Sequence, residues 1–307
     1  MVKIGFHVSI SGGISNSIDN TLKIGCNTFQ IFSRSPRRWE AKPLEEDDIQ
    51  NFIKKKEENK FDSDSMCIHM PYLPNLASSN EQLYKRSTSV LMEELRRCTL
   101  LEISYVIVHL GTHGGDGNDQ GIKQLINACK FALENYNDKN KNKISNLKNS
   151  VTILLENNAG KKNSIGSKFD ELAIILDKLK ASVDIRSDSF GICLDTCHAF
   201  ASGYDLRTDD TVHQTLDILN DQIGLKNIKV LHLNDSKGDL NSKRDLHEHI
   251  GLGKIGIDGF KSILNNKAIN KVPMIMETPV DSRRDDLGNL KVVQSIIGNN
   301  TNNSNNK

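Results

Sequence analysis

The sequence of 307 residues lacks any apolar run of about 18 residues, the length needed to cross a membrane. It also lacks an excess of charge, since 40 Lys and Arg oppose 39 Asp and Glu, so no overall field identifies a binding partner. Its six cysteines include no C-x-x-C pair and most lie in apolar runs. We therefore expect buried, reduced thiols rather than disulfides or thiolate metal sites.

The two ends of the sequence also lack distinctive signals. Residues 2–8 are typical of a strand and show neither the basic segment nor the apolar stretch of a signal peptide, so we expect a cytoplasmic, intracellular protein. No heptad repeat or exposed apolar stripe indicates self-association, and we expect a monomer. Residues 298–307 are rich in Asn and are predicted to be disordered, which leaves one domain over residues 1–297.

Eight short apolar runs alternate with helix-like segments along the chain. This alternation predicts parallel strands joined by right-handed crossovers, and eight such units predict an α/β fold, a single (β/α)8 TIM barrel. An open doubly wound sheet is the alternative, but the glycine fingerprint that this fold uses for dinucleotides is missing. The runs span residues 4–8, 28–32, 66–69, 105–110, 151–156, 190–194, 228–233 and 272–276.

Metal-binding side chains occur where the predicted strands end, and seven of the eight strands end this way. Each side chain alone has an ordinary explanation, such as a buried histidine or a helix cap. In a TIM barrel, however, these ends converge on one face around one axis, so we infer one shared site. The residues are His7, His69, His109, Glu156, Asp195, His198, His232, Asp245, His247 and Glu277.

The candidate ligands outnumber the four that one tetrahedral zinc ion takes, which favours two or three ions sharing bridging carboxylates. Imidazole-rich ligation favours Zn²⁺, and the carboxylates leave Mn²⁺ open. We do not expect His113, His213 or His249 to be ligands. Clustered metal ions activate water and stabilise both oxygens of a displacement at phosphorus, so this pattern indicates phosphodiester chemistry.

Cationic and aromatic residues also follow the predicted strands and would form a positive rim around this site. Phosphate neutralisation combined with apolar wedges is what a surface that grips a duplex requires. The rim residues are Arg34, Arg37, Arg38, Trp39, Tyr72, Leu73, Lys161, Lys162, Lys237, Lys243, Arg244, Arg283 and Arg284.

Five segments together resemble the signatures of endonuclease IV, the zinc-dependent apurinic/apyrimidinic (AP) endonucleases. They occur in the order of that family, and the resemblance extends over roughly residues 1–297. The segments are residues 5–13 (GFHVSISGG), 69–76 (HMPYLPNL), 191–198 (GICLDTCH), 232–237 (HLNDSK) and 245–251 (DLHEHIG).

The resemblance implies three zinc ions per chain, held by nine of the ten residues above, with His7 beside them and not a ligand. One ion would be bound by His69, His109 and Glu156. Glu156 would bridge to a second ion, which Asp195, His232 and Glu277 would complete. The third ion would be bound by His198, Asp245 and His247.

The resemblance also implies an activity in base excision repair, at the nucleoid. The enzyme would hydrolyse the phosphodiester 5′ to an abasic site in double-stranded DNA, with a metal-bridging hydroxide as nucleophile and Glu277 or Glu156 as its base. A 3′-hydroxyl and a 5′-deoxyribose phosphate would result, and trimming of 3′ ends is an open second activity. Arg37, Tyr72 and Leu73 match the loop positions that would fill the gap left by the flipped nucleotide.

One position departs from the family pattern. Many members carry Asp-Arg-His in the loop after the seventh strand, where this chain has Asp245, Leu246 and His247. The ligand types are kept, but a cation that can contact the DNA backbone is missing, and Arg244 is the nearest substitute. We therefore expect ordinary metal binding, while the affinity for DNA stays open.

Two other functions remain as alternatives. A two-metal sugar isomerase on the same barrel would use carboxylates and imidazoles as well, but it would hold two ions rather than three. A DNA-binding module with structural zinc only would bind an abasic duplex without cutting it. The number of bound zinc ions and strand cleavage distinguish the three hypotheses.

Overall fold

The computed structural model describes residues 2–136, 151–182 and 188–304, with side chains through residue 298. Eight parallel strands form a closed barrel, which confirms the predicted fold class. They are β1 (Ile4–His7), β2 (Thr28–Ile31), β3 (Met66–His69), β4 (Tyr105–His109), β5 (Thr152–Glu156), β6 (Phe190–Asp195), β7 (Ile228–His232) and β10 (Met274–Met276), while β8 (Asp235–Ser236) and β9 (His247–Glu248) lie in the loop after β7. Around the barrel the strands follow the order β1-β10-β7-β6-β5-β4-β3-β2.

Helices follow the strands, and their apolar faces pack on the outside of the barrel. The helices in the described ranges are α1 (Asn16–Ile24), α2 (Glu46–Glu58), α3 (Glu81–Leu100), α4 (Asn118–Asn135), α5 (Phe169–Ser182), α6 (Thr196–Ser202), α7 (Asp209–Gln222), α8 (Gly256–Asn265) and α9 (Asp286–Ser304).

The last helix differs from the sequence prediction. Helix α9 continues to Ser304, so the backbone of residues 298–304 is helical where disorder was expected. Residues 305–307 and most of the Asn- and Lys-rich segment at 135–149 lie outside the described residues. The domain bounds of 1–297 stay a prediction.

Two short elements were absent from the sequence prediction, and both carry site residues. Helix α6 begins directly after Asp195, whose side chain accepts a hydrogen bond from the backbone N–H of His198 at 2.7 Å and thereby caps the helix. In the long loop after β7, β8 pairs with β9 in an antiparallel hairpin. Both elements are short and polar at their ends, so hydrophobic periodicity does not reveal them.

The inside of the barrel is filled by small and medium apolar side chains below the strand ends. Strands β1 and β2 approach each other so closely that a Cβ atom at Gly5 would lie 1.7 Å from the carbonyl oxygen of Thr28. A glycine is therefore required there. The interior residues are Cys67, Ile107, Leu154, Cys193, Val230 and Ile275.

The predicted burial of the cysteines is confirmed. All six are buried and unpaired, and all six lie within the described ranges. Among those ranges, no helix has the length and apolar character that a membrane span requires.

Candidate metal centre

All nine predicted ligands lie at the carboxyl ends of the barrel strands or in the segments that follow them, and they form three groups. Within each group, the atoms that can bind a metal ion lie within 4.8 Å of one another. Their role as ligands stays a prediction. The first group is His69, His109 and Glu156; the second is Glu156, Asp195, His232 and Glu277; the third is His198, Asp245 and His247.

Glu156 belongs to two groups and offers a different oxygen to each. Its Oε2 lies 3.2 Å from His69 Nε2 and 2.9 Å from His109 Nε2. Its Oε1 lies 3.0 Å from His232 Nδ1. A carboxylate in this position can bridge two metal ions, because each oxygen faces its own set of nitrogen atoms.

The third group contains the atoms that most directly require a cation. The Nε2 atoms of His198 and His247 are buried and make no hydrogen bond in the part of the chain that the structure describes. They lie 3.1 and 3.3 Å from the same atom, Oδ1 of Asp245. Buried polar atoms without a partner are rare in folded proteins, and a shared metal ion would satisfy all three side chains at once.

Three of the histidines have their tautomer set by a backbone carbonyl. A carbonyl oxygen only accepts, so the Nδ1 atom that contacts it carries the proton, and Nε2 is left with a lone pair facing the site. The contacts run from His69 to Met70 O (2.7 Å), from His198 to Asn157 O (2.9 Å) and from His247 to Glu277 O (3.2 Å).

The carboxylates of the centre stabilise positive charge on the groups around them. Burial lowers the pKa of His198, but Asp195 and Asp245 outweigh this effect and raise it to about 10. Burial raises the pKa of Asp245, but the close contact with His198 and the charge of that ring lower it to about 2. Burial also raises the pKa of Glu156, but the charges of His109 and His232 hold it well below its usual value. Protons or metal cations can supply this positive charge, so the donor set fits metal ions.

Cys197 forms a further, overlapping arrangement with Asp195 and His247. Burial raises the pKa of the Cys197 thiol, and the charge of Asp195 raises it further. Since only the thiolate binds metal ions well, this environment disfavours the cysteine as a ligand.

The remaining four histidines belong to none of these groups among the described residues. His249 is buried and contacts Asp281 at 3.1 Å through Nε2. His113 accepts backbone hydrogen bonds from two glycines of its own loop. His213 lies on α7 and His7 lies beside the second group.

Three amide side chains that the sequence analysis missed hold the ligands in place. Asn234 Nδ2 donates to Asp195 Oδ2 at 2.7 Å, and Asn157 Oδ1 accepts from the backbone N–H of Asp195 at 2.7 Å. Gln30, on β2, contacts both Glu277 and His232. A buried amide in or directly after an apolar strand is the sequence signal that could have identified all three.

The predicted positive rim is only partly correct. Arg34 is buried, with its Nε 3.5 Å from Glu94 Oε1. Arg283 makes a bidentate ion pair with Glu248, and Arg284 donates to the carbonyl of Ile250. These arginines are used to hold loops, because a buried carboxylate or carbonyl needs a partner. Arg283 is nevertheless 45% exposed. The other exposed rim cations are Arg37, Arg38, Lys161, Lys162, Lys237 and Arg244.

A cleft of about 370 Å³ opens directly onto the centre. Tyr72 and Leu73 line it together with three of the candidate ligands, His109, His198 and Asp245. Tyr72 is half exposed and forms an edge contact with Phe32. Arg37 is exposed on the neighbouring loop after β2. The cleft thus places an aromatic ring and an apolar side chain next to the candidate metal ligands.

Comparison with known proteins gives a consistent result over almost the whole chain. A family model described as a xylose isomerase-like TIM barrel matches residues 18–296. A probable endonuclease 4 of Cenarchaeum symbiosum is 46% identical over 297 residues, which are 97% of this chain and 100% of that protein. The crystal structure of endonuclease IV from Thermus thermophilus is 30% identical with a TM-score of 0.81, over 97% of this chain and 99% of that one. A D-tagatose 3-epimerase-like structure, 18% identical with a TM-score of 0.68 over 96% of this chain and 97% of that one, shares the fold alone.

Proposed function

This chain belongs to the endonuclease IV family, and we propose that it is a DNA-repair enzyme that hydrolyses the phosphodiester 5′ to abasic sites in double-stranded DNA. The products are a 3′-hydroxyl and a 5′-deoxyribose phosphate. The observation that carries this proposal is the set of three ligand groups, two of them joined by Glu156, beside a cleft lined by Tyr72 and Leu73.

The three groups would hold three zinc ions. When bound, the ions supply Lewis acidity that lowers the pKa of water and neutralises charge on the phosphate. His69, His109, His198, His232 and His247 would be neutral ligands, and the four carboxylates would offset four of the six positive charges of the ions. Their number supports three ions over the two that a sugar isomerase would hold.

Of the two glutamates named as candidate bases, we assign the proton-accepting role to Glu277. The side chain of Glu277 is 20% exposed, whereas that of Glu156 is 1% exposed. A base must lie within hydrogen-bond reach of the water that it deprotonates, and solvent reaches only Glu277. Glu156 then serves to join the first two ligand groups.

Arg37, Tyr72 and Leu73 are proposed to contact the duplex at the abasic site. An exposed ring and an apolar side chain can fill the space that the flipped nucleotide leaves, and Arg37 can pair with a backbone phosphate. The missing base lowers the cost of flipping, because no base pair has to be broken. The near-zero net charge of the chain means that this binding depends on local cations such as Arg37.

Cleavage of a duplex carrying one tetrahydrofuran abasic analogue tests this function. The analogue cannot undergo β-elimination, so a cut 5′ to it that leaves a 3′-hydroxyl must be hydrolytic. We expect this cut with the purified protein in EDTA, since buried multidentate ligands release metal ions slowly. After the metal ions have been stripped under denaturing conditions and the protein refolded, we expect activity to return only with added zinc, to about three ions per chain.

The same duplex without the analogue is the control and should stay intact. Absence of cutting both in EDTA and with added zinc would contradict the endonuclease assignment. Two bound ions and no cutting would favour the sugar isomerase. Tight binding of the abasic duplex without cutting would favour a DNA-binding module.

Leu246→Arg tests the position that departs from the family pattern. Leu246 is 45% exposed beside Asp245, where an added guanidinium can reach a DNA phosphate. We expect the variant to bind an abasic duplex several-fold more tightly at low salt, and the slope of log K against log salt to steepen by about 1. Fluorescence anisotropy over a salt series measures both quantities.

Ile218→Arg is the matched control for this prediction. Ile218 is 42% exposed but lies on α7, on the outside of the barrel, so this substitution adds the same charge away from the proposed DNA surface. Equal effects of the two substitutions, or no effect of Leu246→Arg, would mean that position 246 does not contact phosphate.

A further inference from the structure

Strand β2 ends without a candidate ligand, yet its Gln30 is fully buried beside the second ligand group. The register of the barrel places Gln30 opposite His7 on β1 and Cys67 on β3. A methionine or leucine would fill this space without desolvating an amide, so the amide needs an explanation. Its polar contacts are Nε2 to Glu277 Oε1 (2.7 Å), Nε2 to His7 Nδ1 (2.9 Å), Oε1 to His232 Nε2 (2.8 Å) and Oε1 to Cys67 Sγ (3.6 Å).

The contact with Glu277 fixes which way the amide points. A carboxylate oxygen only accepts, so the atom of Gln30 at 2.7 Å from Glu277 must be the N–H₂ group. The amide oxygen of Gln30 therefore faces His232 Nε2, and that nitrogen must donate. The proton of the neutral His232 ring is thus on Nε2, and Nδ1 is left with a lone pair.

That lone pair points into the second ligand group. His232 Nδ1 lies 3.0 Å from Glu156 Oε1 and 3.3 Å from Glu277 Oε2. His69, His198 and His247 have the opposite tautomer, with the proton on Nδ1. His232 therefore needs a partner on its Nε2 side that the other rings do not need, and Gln30 is that partner.

Gln30 also selects the oxygen of Glu277 that faces the group. The N–H₂ group of Gln30 donates to Oε1 of Glu277 at 2.7 Å. Oε2 of the same carboxylate faces His232 Nδ1 at 3.3 Å.

We propose that Gln30 is a positioning residue for the second metal ion: it holds His232 in the tautomer whose Nδ1 faces the ligand group and holds Glu277 by Oε1 so that Oε2 faces the same point. This inference rests on the proposed metal-dependent function. It assigns a role to a residue of β2, a strand without a ligand, because the residue reaches across the barrel to β7 and to the end of β10.

Zinc release from the loaded protein to a colorimetric chelator tests the proposal. The substitution Gln30→Met keeps the size of the side chain and removes both contacts. Partners of metal-bound histidines typically change affinity by 10–100-fold, so we expect about one of three zinc ions to leave about 10–100-fold faster than in the unsubstituted protein. Gln50→Met, at an exposed glutamine on α2, is the control and should release zinc at the original rate.

The outcomes distinguish a failure of the proposed function from a failure of the role given to Gln30. If the unsubstituted protein binds no zinc at all, the proposed function fails. If it binds zinc and Gln30→Met releases every ion at the rate of the Gln50→Met control, the role of Gln30 is wrong while the function stands.

A second measurement needs no variant at position 30. In the zinc-loaded protein with ¹⁵N-labelled histidine, we expect the His232 ring proton on Nε2, assigned by its loss in His232→Asn. A His232 proton on Nδ1 would overturn the proposal, even if Gln30→Met failed to fold.

Discussion

Replacing Glu156 by Gln is expected to abolish strand cleavage and to remove most of the bound zinc. The substitution changes the shape of the side chain little but removes the charge that two ligand groups share, with Oε2 facing His109 and Oε1 facing His232. We expect the cleavage rate of the tetrahydrofuran duplex to fall roughly 10³-fold or more. Bound zinc should fall from about three ions per chain toward one, because the third group does not include Glu156.

Single-turnover cleavage and elemental analysis of the same preparation measure the two effects. Glu248→Gln is the matched control, since Glu248 is also buried near the centre but pairs with Arg283 and belongs to none of the ligand groups of the described residues. A Glu156→Gln protein that keeps about three zinc ions and cuts at the original rate would show that Glu156 does not join two metal ions.

Arg97→Met is expected to destabilise the fold. It is also expected to weaken DNA binding, because Arg97 on α3 holds the loop that carries Arg37. Arg97 is 2% exposed on α3. Its guanidinium donates to the carbonyl of Ser33 at 2.6 Å and to the carbonyl of Lys42, the two ends of the loop that carries Arg37. Removing a buried guanidinium leaves these acceptors without a partner, and we expect the free energy of unfolding to fall by about 3 kcal/mol.

The loss should depend on pH because Arg97 lies near the buried carboxyl of Glu94. Burial raises the pKa of Glu94 to about 7, against the opposing charges of Arg34 and Arg97. A raised carboxyl pKa contributes stability at low pH that is lost as pH rises through the folded-state value. Without Arg97 that pKa rises further, so the variant should lose more stability at pH 8 than at pH 6.

Urea unfolding of the zinc-loaded proteins at the two pH values, together with anisotropy on an abasic duplex, checks this prediction. The control is Arg96→Met, because Arg96 is the neighbouring, partly exposed arginine and donates to the carbonyl of Tyr136, away from the loop. Equal losses for Arg96→Met and Arg97→Met, or losses independent of pH, would contradict the role given to Arg97 and Glu94.

The barrel could be predicted from sequence because its strands are buried on both sides and its helices are amphipathic, so both leave clear periodic patterns. The hairpin of Asp235–Ser236 with His247–Glu248 and the helix Thr196–Ser202 could not. They are held by local hydrogen bonds, such as the cap that Asp195 provides for His198, and not by a long apolar face. The sequence prediction ended helix α9 too early, because the Asn-rich end of this helix has low helix propensity.

The sequence by itself determined the fold class and a set of ten candidate side chains, from which the family resemblance removed His7. This was possible because the topology of a barrel brings all strand ends to one face, so residues such as His69 and Glu277 meet whatever the details of packing. The family resemblance already implied the three groups and the shared place of Glu156. The tertiary structure decided the distances within the groups and that Arg34 is buried and not at the surface. It also brought Gln30 into contact with His232 across 202 positions of the chain. Such contacts depend on angles and distances across the barrel, and these are set by packing rather than by spacing along the chain.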